Sequence, residues 1–220
     1  MVGAGMSGAV IGAVLSGGHG RRVGGDKPSL EIDGRTLVAR AVDALHLAGL
    51  DVVLVLQPRQ PAPLMARTTA IVRDEIQDAG PMGGLHALLR WLPTEWTLVV
   101  PCDQPFLKTA LLLGLLGQPR DDVDAIAGRP AGLAEPLPGL YRRTCLPAIE
   151  EALASGERSL RDLLSSLRVS ALPEERLRQW DPELVSYLNI NTQADLARAR
   201  AFAGSVDGDV LNRRVADAQC

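Results

Sequence analysis

The chain is poor in aromatic residues, cysteine and histidine. Aromatic side chains make up 3% of its 220 residues, so Leu, Val, Ile and Ala have to build the core. The three cysteines show no metal-ligand spacing and leave an odd count, which predicts unpaired thiols in a reducing cytosol. The three histidines are scattered along the chain. These shortages argue against a disulfide framework and against a cysteine- or histidine-based metal site.

The chain also has no long apolar run and no excess of positive charge. No segment reaches the roughly 18 consecutive apolar residues of a membrane span, and no signal peptide is evident. The net charge of −3 argues against a broad nucleic-acid surface. We therefore expect a cytoplasmic protein that binds neither a membrane nor a nucleic acid. The length suits one sizeable α/β domain.

The most informative stretch runs from Leu15 to Lys27 and holds five glycines within nine residues. Residues 9–15, which precede it, are apolar and partly β-branched, which predicts a buried strand. Glycine lets backbone N–H groups approach an anion closely, and the arginines and the lysine add positive charge. The stretch is not a P-loop, because Pro28 follows Lys27, and it lacks the glycine spacing of a dinucleotide fingerprint. The composition favours a loop that binds a nucleoside triphosphate; the alternative is a flexible surface loop.

Strands and helices alternate along the rest of the chain. This order predicts a single three-layer α/β domain with a mostly parallel, twisted, Rossmann-like sheet. Further strands are predicted over 51–56, 69–72, 96–101, 124–127, 137–142 and 184–190. Helices are predicted over 36–47, 79–91, 108–116, 145–154, 159–167 and 193–202. Pro138 argues for a sheet edge or a bulge. We expect a disordered lead-in over 1–8, a domain over 9–203 and a disordered tail over 204–220.

Polar residues follow several predicted strands, at the edge where parallel sheets bind their ligands. Asp103 is a candidate ligand for Mg²⁺, which takes one or two carboxylates plus substrate phosphates. Asp74 stands in the same position after an earlier strand, and for both residues the alternative is a local turn cap. Lys27 is a candidate phosphate contact or else a solvated lysine. Asn189 and Asn191 project to one face of the last predicted strand, where they either bind a phosphate or cap the next helix.

The chain contains four motifs: Leu15-Ser-Gly-Gly with Arg21-Arg22-Val-Gly-Gly-Asp-Lys27, Gly80-Pro-Met-Gly-Gly-Leu85, Pro101-Cys-Asp-Gln-Pro105 and Leu188-Asn-Ile-Asn-Thr192. Together they resemble the molybdenum cofactor guanylyltransferases, which are nucleotidyltransferases with a glycosyltransferase-A-type fold, and residues 159–164 are also similar to a stretch of that family. The resemblance covers about residues 9–203 and implies that GMP is transferred from GTP to the terminal phosphate of molybdopterin, releasing pyrophosphate. The attacking phosphate oxygen is already anionic, so this chemistry needs alignment and charge neutralisation rather than a protein nucleophile.

The resemblance also implies roles for individual residues. Lys27 and Asp103 are the expected catalytic residues, with Asp103 as the Mg²⁺ ligand. Asn189 and Asn191 are expected near the molybdopterin phosphate, and we add Arg22 to this substrate-binding set. Proteins that deliver molybdopterin or accept the finished cofactor are possible further partners. The expected nucleotide site comprises Leu15, Ser16, Gly17, Lys27, Asp74 and Asp103.

Two positions depart from the family pattern. Leu56, followed by Gln57, stands where the family often has an asparagine at the end of the second strand. Glu135-Pro136 stands where a His-Pro pair is common, on the pterin side of the site. The alternatives are a cytidylyltransferase or another small-molecule nucleotidyltransferase, and a non-catalytic nucleotide-binding accessory protein. A Rossmann dehydrogenase is disfavoured because no acidic residue ends the second strand.

Overall fold

The computed structural model describes residues 9–16, 27–63, 68–76 and 78–204. The predicted lead-in and all but the first residue of the predicted tail lie outside these ranges. The strands are β1 (Val10–Leu15), β2 (Glu31–Ile32), β3 (Arg35–Thr36), β4 (Val52–Leu56), β5 (Ala70–Arg73), β6 (Trp96–Pro101), β7 (Ala125–Arg129), β8 (Glu135–Arg142) and β9 (Val169–Pro173). The helices are α1 (Leu37–Leu47), α2 (Gly80–Trp91), α3 (Thr109–Leu116), α4 (Leu146–Ala154), α5 (Leu160–Ser165), α6 (Glu174–Arg178) and α7 (193–204).

One mostly parallel sheet organises the molecule, with the strand order β5-β4-β1-β6-β8-β7-β9. β5, β4, β1 and β6 run parallel to one another, so their carboxyl ends share one edge. β8 runs antiparallel to both of its neighbours, β6 and β7. The first residue of β8 therefore lies at the edge where β6 ends. The predicted α/β fold is confirmed.

Helices cover both faces of the sheet, which makes three layers. α1 and α3 pack on one face, and α2, α4 and α5 pack on the other. Each face of the sheet has its own hydrophobic core, and alternate residues of β1 pack into the two cores. Val14 packs into the core beneath α1 and α3, whereas Ala13 and Leu15 pack into the core beneath α2, α4 and α5. Burial on both faces explains why β1, β4 and β6 are continuous apolar runs.

The strand predicted over 184–190 is wrong. Leu184 has a φ of 54°, and Val185–Tyr187 forms a short 3-10 helix. The backbone N–H of Ser186 donates to the buried carboxylate of Asp181 at 2.8 Å. This hydrogen bond stabilises the turn, and in the turn conformation the backbone of this segment cannot pair with a strand of the sheet.

The outermost strand of this half of the sheet is instead β9, which pairs in parallel with β7. The sequence signal for β9 is weak because it is short and contains Ser170 and Pro173. Proline is tolerated there because the strand lies at an edge. The helix predicted over 159–167 ends earlier, at Ser165, because the chain turns there into β9.

Pro138 lies in an interior strand, so the edge position considered for it is wrong, whereas the bulge is confirmed. The ladders of β8 pair Gly139 with both neighbours and then resume on the β7 side only at Glu135. The carbonyls of this bulge bind side chains: Tyr141 Oη donates to Pro136 O at 2.7 Å. The bulge is thus held in place although it interrupts the ladder.

The described cysteines, Cys102 and Cys145, are buried, and neither forms a disulfide, as predicted. Burial raises the pKa of the Cys145 thiol to about 12, so this thiol stays protonated at neutral pH. Among the described helices, none combines the length and the apolar character that crossing a membrane requires.

Candidate active site

Several loops meet at the edge where the parallel strands end. Backbone hydrogen bonds continue the sheet by one residue beyond β1, β5 and β6 and so fix the start of each loop. These bonds run from Ser16 N to Val55 O at 2.9 Å, from Asp74 N to Leu56 O at 2.8 Å and from Cys102 N to Leu15 O at 3.1 Å. Ser16, Asp74 and Asp103 therefore lie along one edge, where we expected them to converge.

A cavity of about 510 Å³, here called the large cavity, opens beside the end of β6. Four of the predicted site residues line it: Leu15, Asp103, Asn189 and Asn191. The start of β8, at 135–137, and the start of α5, at 158–161, form further walls. Segments that are far apart in the sequence thus surround one space next to a carboxylate.

The segment with the two asparagines is bound to the Asp103 loop. Ile190 N donates to Asp103 O at 2.9 Å, and the Ile190 side chain is buried. Asn189 and Asn191, on either side of it, are exposed and reach the large cavity. The two amides therefore share a side, as predicted, although the segment is not a strand.

Thr192 is the N-cap residue of α7. Thr192 N donates to Asp195 Oδ2 at 2.8 Å, and Asp195 N donates to Thr192 Oγ1 at 3.1 Å. This reciprocal pair is a capping box. It fixes the backbone directly after Asn191.

A smaller cleft lies beside the large cavity, toward the ends of β4 and β5. Leu15 and Pro81 border both spaces, so the two are neighbours. Asp74 and Gln57 line the small cleft together with the first turns of α2. Leu56, which stands where the resemblance leads us to expect an asparagine, and Gln57 after it both line this cleft.

Asp74 is a buried carboxylate, only 6% exposed. Ile76 N donates to its Oδ1 at 2.9 Å. A methyl group added at Gly83 would lie 2.5 Å from Oδ2, so the carboxylate packs where only glycine fits. Burial raises the pKa of Asp74, and the Ile76 N–H and the nearby His86 offset part of this effect.

The variant Asp74→Asn is expected to be more stable than the wild type at pH 7 and less active. A raised pKa means that the contribution of Asp74 to stability is present below the unfolded pKa of about 3.9 and is lost as the pH rises through the folded pKa. Asparagine avoids this loss and still accepts from Ile76. The melting temperatures of both proteins at pH 4 and pH 7 check the sign, and the gain should shrink at pH 4. We expect the KM for a nucleotide substrate to rise about tenfold, since a hydrogen bond to a charged group contributes about 1.5–3 kcal/mol.

Comparison with known proteins identifies the family to which the chain belongs. Residues 12–172 match the MobA-like NTP transferase domain. The chain belongs to the MobA-like NTP transferase family. Nucleotidyltransferases of this kind generally use a divalent metal ion.

Relatives of this MobA-like chain match it over most of their length. The molybdenum cofactor guanylyltransferase of Desulfosudis oleivorans is 34% identical over 194 residues, which cover 88% of this chain and 95% of the relative. The probable molybdenum cofactor guanylyltransferase of Opitutus terrae is 34% identical over 185 residues, with coverages of 79% and 91%.

Solved structures show the same architecture. Molybdopterin-guanine dinucleotide biosynthesis protein A from Archaeoglobus fulgidus has a TM-score of 0.78 at 29% identity, covering 89% of this chain and 100% of that one. A 2-C-methyl-D-erythritol 4-phosphate cytidylyltransferase from Thermus thermophilus has a TM-score of 0.67 at 17% identity, covering 88% and 98%. The second structure shares the fold of this MobA-like chain.

Part of the predicted site lies outside the described residues. Gly17 and Arg22 are outside them, as is the side chain of Lys27, whose backbone begins a short 3-10 helix over Lys27–Ser29. Ser16 is buried at the end of β1, and its hydroxyl accepts from Gln60 Nε2 at 3.2 Å.

Among the residues that line the large cavity of this MobA-like chain, Gln104 and Arg161 were not predicted as site residues, and Glu135 was noted only as a departure from the family pattern. Gln104 directly follows the predicted site residue Asp103, and this neighbouring position was a local sequence signal for it. Arg161 lies in a stretch, 159–164, that resembles the family. Neither signal says which side chains face a cavity, because that depends on how β8 and α5 pack against the end of β6.

Proposed function

We propose that this chain transfers GMP from GTP to the terminal phosphate of molybdopterin and releases pyrophosphate. One observation carries this proposal: Asp103, Asn189 and Asn191 surround one cavity, and its wall residue Leu15 also borders the cleft that holds Asp74. Two neighbouring spaces suit a reaction between two bound substrates. Relatives named as guanylyltransferases support the choice of substrates.

The proposed reaction balances without a covalent enzyme intermediate. An anionic oxygen of the molybdopterin phosphate attacks the α-phosphorus of GTP, a new P–O bond forms, and the bond to the bridging oxygen of pyrophosphate breaks. The contribution of the protein is alignment, which supplies about 7–11 kcal/mol in well-oriented reactions. We assign the nucleotide to Leu15, Ser16, Gly17, Lys27 and Asp74, and the acceptor phosphate to Arg22, Asn189 and Asn191.

Mg²⁺ is the divalent ion that we propose for this reaction. Within the described ranges no group of three or more His, Cys, Asp or Glu side chains forms a metal cage. One carboxylate is nevertheless sufficient, because Mg²⁺ is held by one or two carboxylates together with substrate phosphates. Asp103, which lines the large cavity, fits that requirement. Bound there, the ion would neutralise charge on the reacting phosphates.

A different nucleotide base is the main alternative. The family pattern favours guanine, but Leu56, followed by Gln57, in place of the usual asparagine changes the side chains at the small cleft. A cytidylyltransferase with the same fold would use the same phosphate and metal contacts. The base is therefore the property to test first.

GTP with Mg²⁺ is expected to stabilise the chain against heat more than CTP or ATP. A ligand at a hundredfold excess over its Kd adds about 2.7 kcal/mol, and at about 2–4 °C per kcal/mol this gives a shift of about 5–10 °C. Differential scanning fluorimetry with the three nucleotides at equal concentration makes the measurement. A larger shift with CTP would contradict the guanylyl assignment, and pyrophosphate release only after molybdopterin is added would support the complete reaction.

A further inference from the structure

An ion pair forms part of the wall of the large cavity on the side away from β1. Arg161 Nη2 contacts both carboxylate oxygens of Glu135, at 2.6 and 3.2 Å. The pair joins the first residue of β8 to α5. The arginine side chain is 55% exposed, whereas that of Glu135 is 25% exposed. The guanidinium therefore remains accessible at the cavity, and the carboxylate is the more enclosed partner.

Both partners stand on backbone that is held in place. Glu135 pairs with Gly128 of β7, and the bulge after it is fixed by Gln104, whose Nε2 donates to Leu137 O at 3.1 Å. Arg161 is in the first turn of α5, which Ser159 caps by accepting from Asp162 N at 3.2 Å. The pair therefore has a defined position relative to the Asp103 loop.

Arg161 has hydrogen-bonding capacity left. Its contact with Glu135 uses Nη2 alone, and its Nε and Nη1 donate to no other residue in the described part of the chain. A guanidinium offers five N–H donors and is well suited to phosphate recognition. The carboxylate of Glu135 would by itself repel a phosphate, so the pair has to stay formed for an anion to be accepted.

We propose that Arg161 binds the phosphate of the acceptor substrate and that Glu135 is a positioning residue that holds Arg161 at the cavity wall. The inference rests on the proposed function for the identity of the acceptor. It assigns a role to the glutamate that stands where the family commonly has histidine. Glu135 acts through Arg161 and does not itself contact the phosphate.

Arg161→Ala is expected to raise the Kd and KM for molybdopterin by about tenfold to a hundredfold, since hydrogen bonds to charged groups contribute about 1.5–3 kcal/mol. The KM for GTP should stay within about twofold of the wild type, because Arg161 does not line the small cleft. Glu135→Gln should raise the molybdopterin Kd less. The double variant should bind molybdopterin better than Arg161→Ala alone, because the unpaired carboxylate is also removed.

Arg178→Ala is the matched control, because Arg178 is another exposed arginine, paired with Glu174 at 2.8 Å, that does not line the large cavity. It should leave the molybdopterin Kd unchanged. The exchanged pair, Glu135→Arg with Arg161→Glu, preserves an ion pair but moves the guanidinium to β8. A purely structural role predicts that this exchange restores wild-type binding, whereas our proposal predicts that it does not.

Titration of the full chain with molybdopterin tests this inference, whereas turnover with GTP tests the proposed function, so the two can fail separately. Melting curves of each variant show that it is folded at the assay temperature. A wild-type chain that does not bind molybdopterin overturns the inference. The inference is also overturned if the Arg161→Ala variant binds molybdopterin as tightly as the wild type does.

Discussion

Asp103→Asn is expected to lower kcat by at least about a hundredfold at saturating GTP, since a catalytic metal supplies several kcal/mol of charge stabilisation and each 1.36 kcal/mol is tenfold in rate. The amide removes the negative charge that a hard divalent cation requires. The fold should persist, because the hydrogen bond from Ile190 N to the backbone carbonyl of Asp103, which holds the asparagine segment, is retained in the variant. Steady-state pyrophosphate release at several Mg²⁺ concentrations gives the measurement, and the variant should need more Mg²⁺ for its residual rate.

Asp51→Asn is the control for this loss of charge. Asp51 is exposed and precedes β4, so it lies at the opposite edge of the sheet from the candidate site. Its replacement should leave turnover within about twofold, as is usual for a surface substitution away from a functional group. Near-wild-type activity in Asp103→Asn, with unchanged Mg²⁺ dependence, would remove Asp103 from the metal site.

Lys27→Ala is expected to lower kcat/KM for GTP by about 10²- to 10³-fold, the usual effect of removing one preorganised group that stabilises transition-state charge. The lysine ammonium is a compact point charge that can follow the developing charge on the triphosphate. Lys27→Arg keeps the charge but changes its shape, and we expect an intermediate rate. Kinetics with GTP as the varied substrate make the comparison.

The composition of the chain supplies a control for Lys27. It has only two lysines, Lys27 and Lys108. Lys108 precedes α3 and lines neither the large cavity nor the small cleft. Lys108→Ala should therefore react at the wild-type rate. Equal losses of kcat/KM in the Lys27 and Lys108 variants would show that the loss reflects a general effect of charge and not a phosphate contact at Lys27.

The parallel half of the fold could be predicted because its signals are local. β1, β4 and β6 are continuous apolar runs, and α1 begins at a Thr36 cap that accepts from Ala39 N. The opposite half depends on tertiary context. β9 is short and polar enough to resemble a loop, whereas the apolar run 184–190 resembles a strand but is turned by the Asp181 contact.

The residues of the candidate site also divide into those that local sequence signals predict and those that depend on tertiary context. Asp74 and Asp103 follow strong strands, so their place at one edge could be predicted. The sequence places Asn189 and Asn191 on one face because it predicts a strand there. The structure has no strand at this position, but the side chain of Ile190 between them is buried, and this also leaves the two asparagines on the same side. The contact of Glu135 with Arg161 joins residues 26 positions apart and depends on a bulge in β8, for which the sequence offers only two prolines.

The reversed direction of β8 has a consequence for how such proteins diversify. Of the residues that we assign to the nucleotide and its metal ion, Leu15 ends β1, and Asp74 and Asp103 follow β5 and β6, so all three lie in the first half of the chain. The walls that β8 and α5 contribute to the large cavity belong to one continuous segment, 135–161. Substitutions or exchanges within that segment can retune the choice of acceptor without altering any residue assigned to the nucleotide. A shared activation chemistry can therefore be inherited intact while the molecule that receives the nucleotide changes.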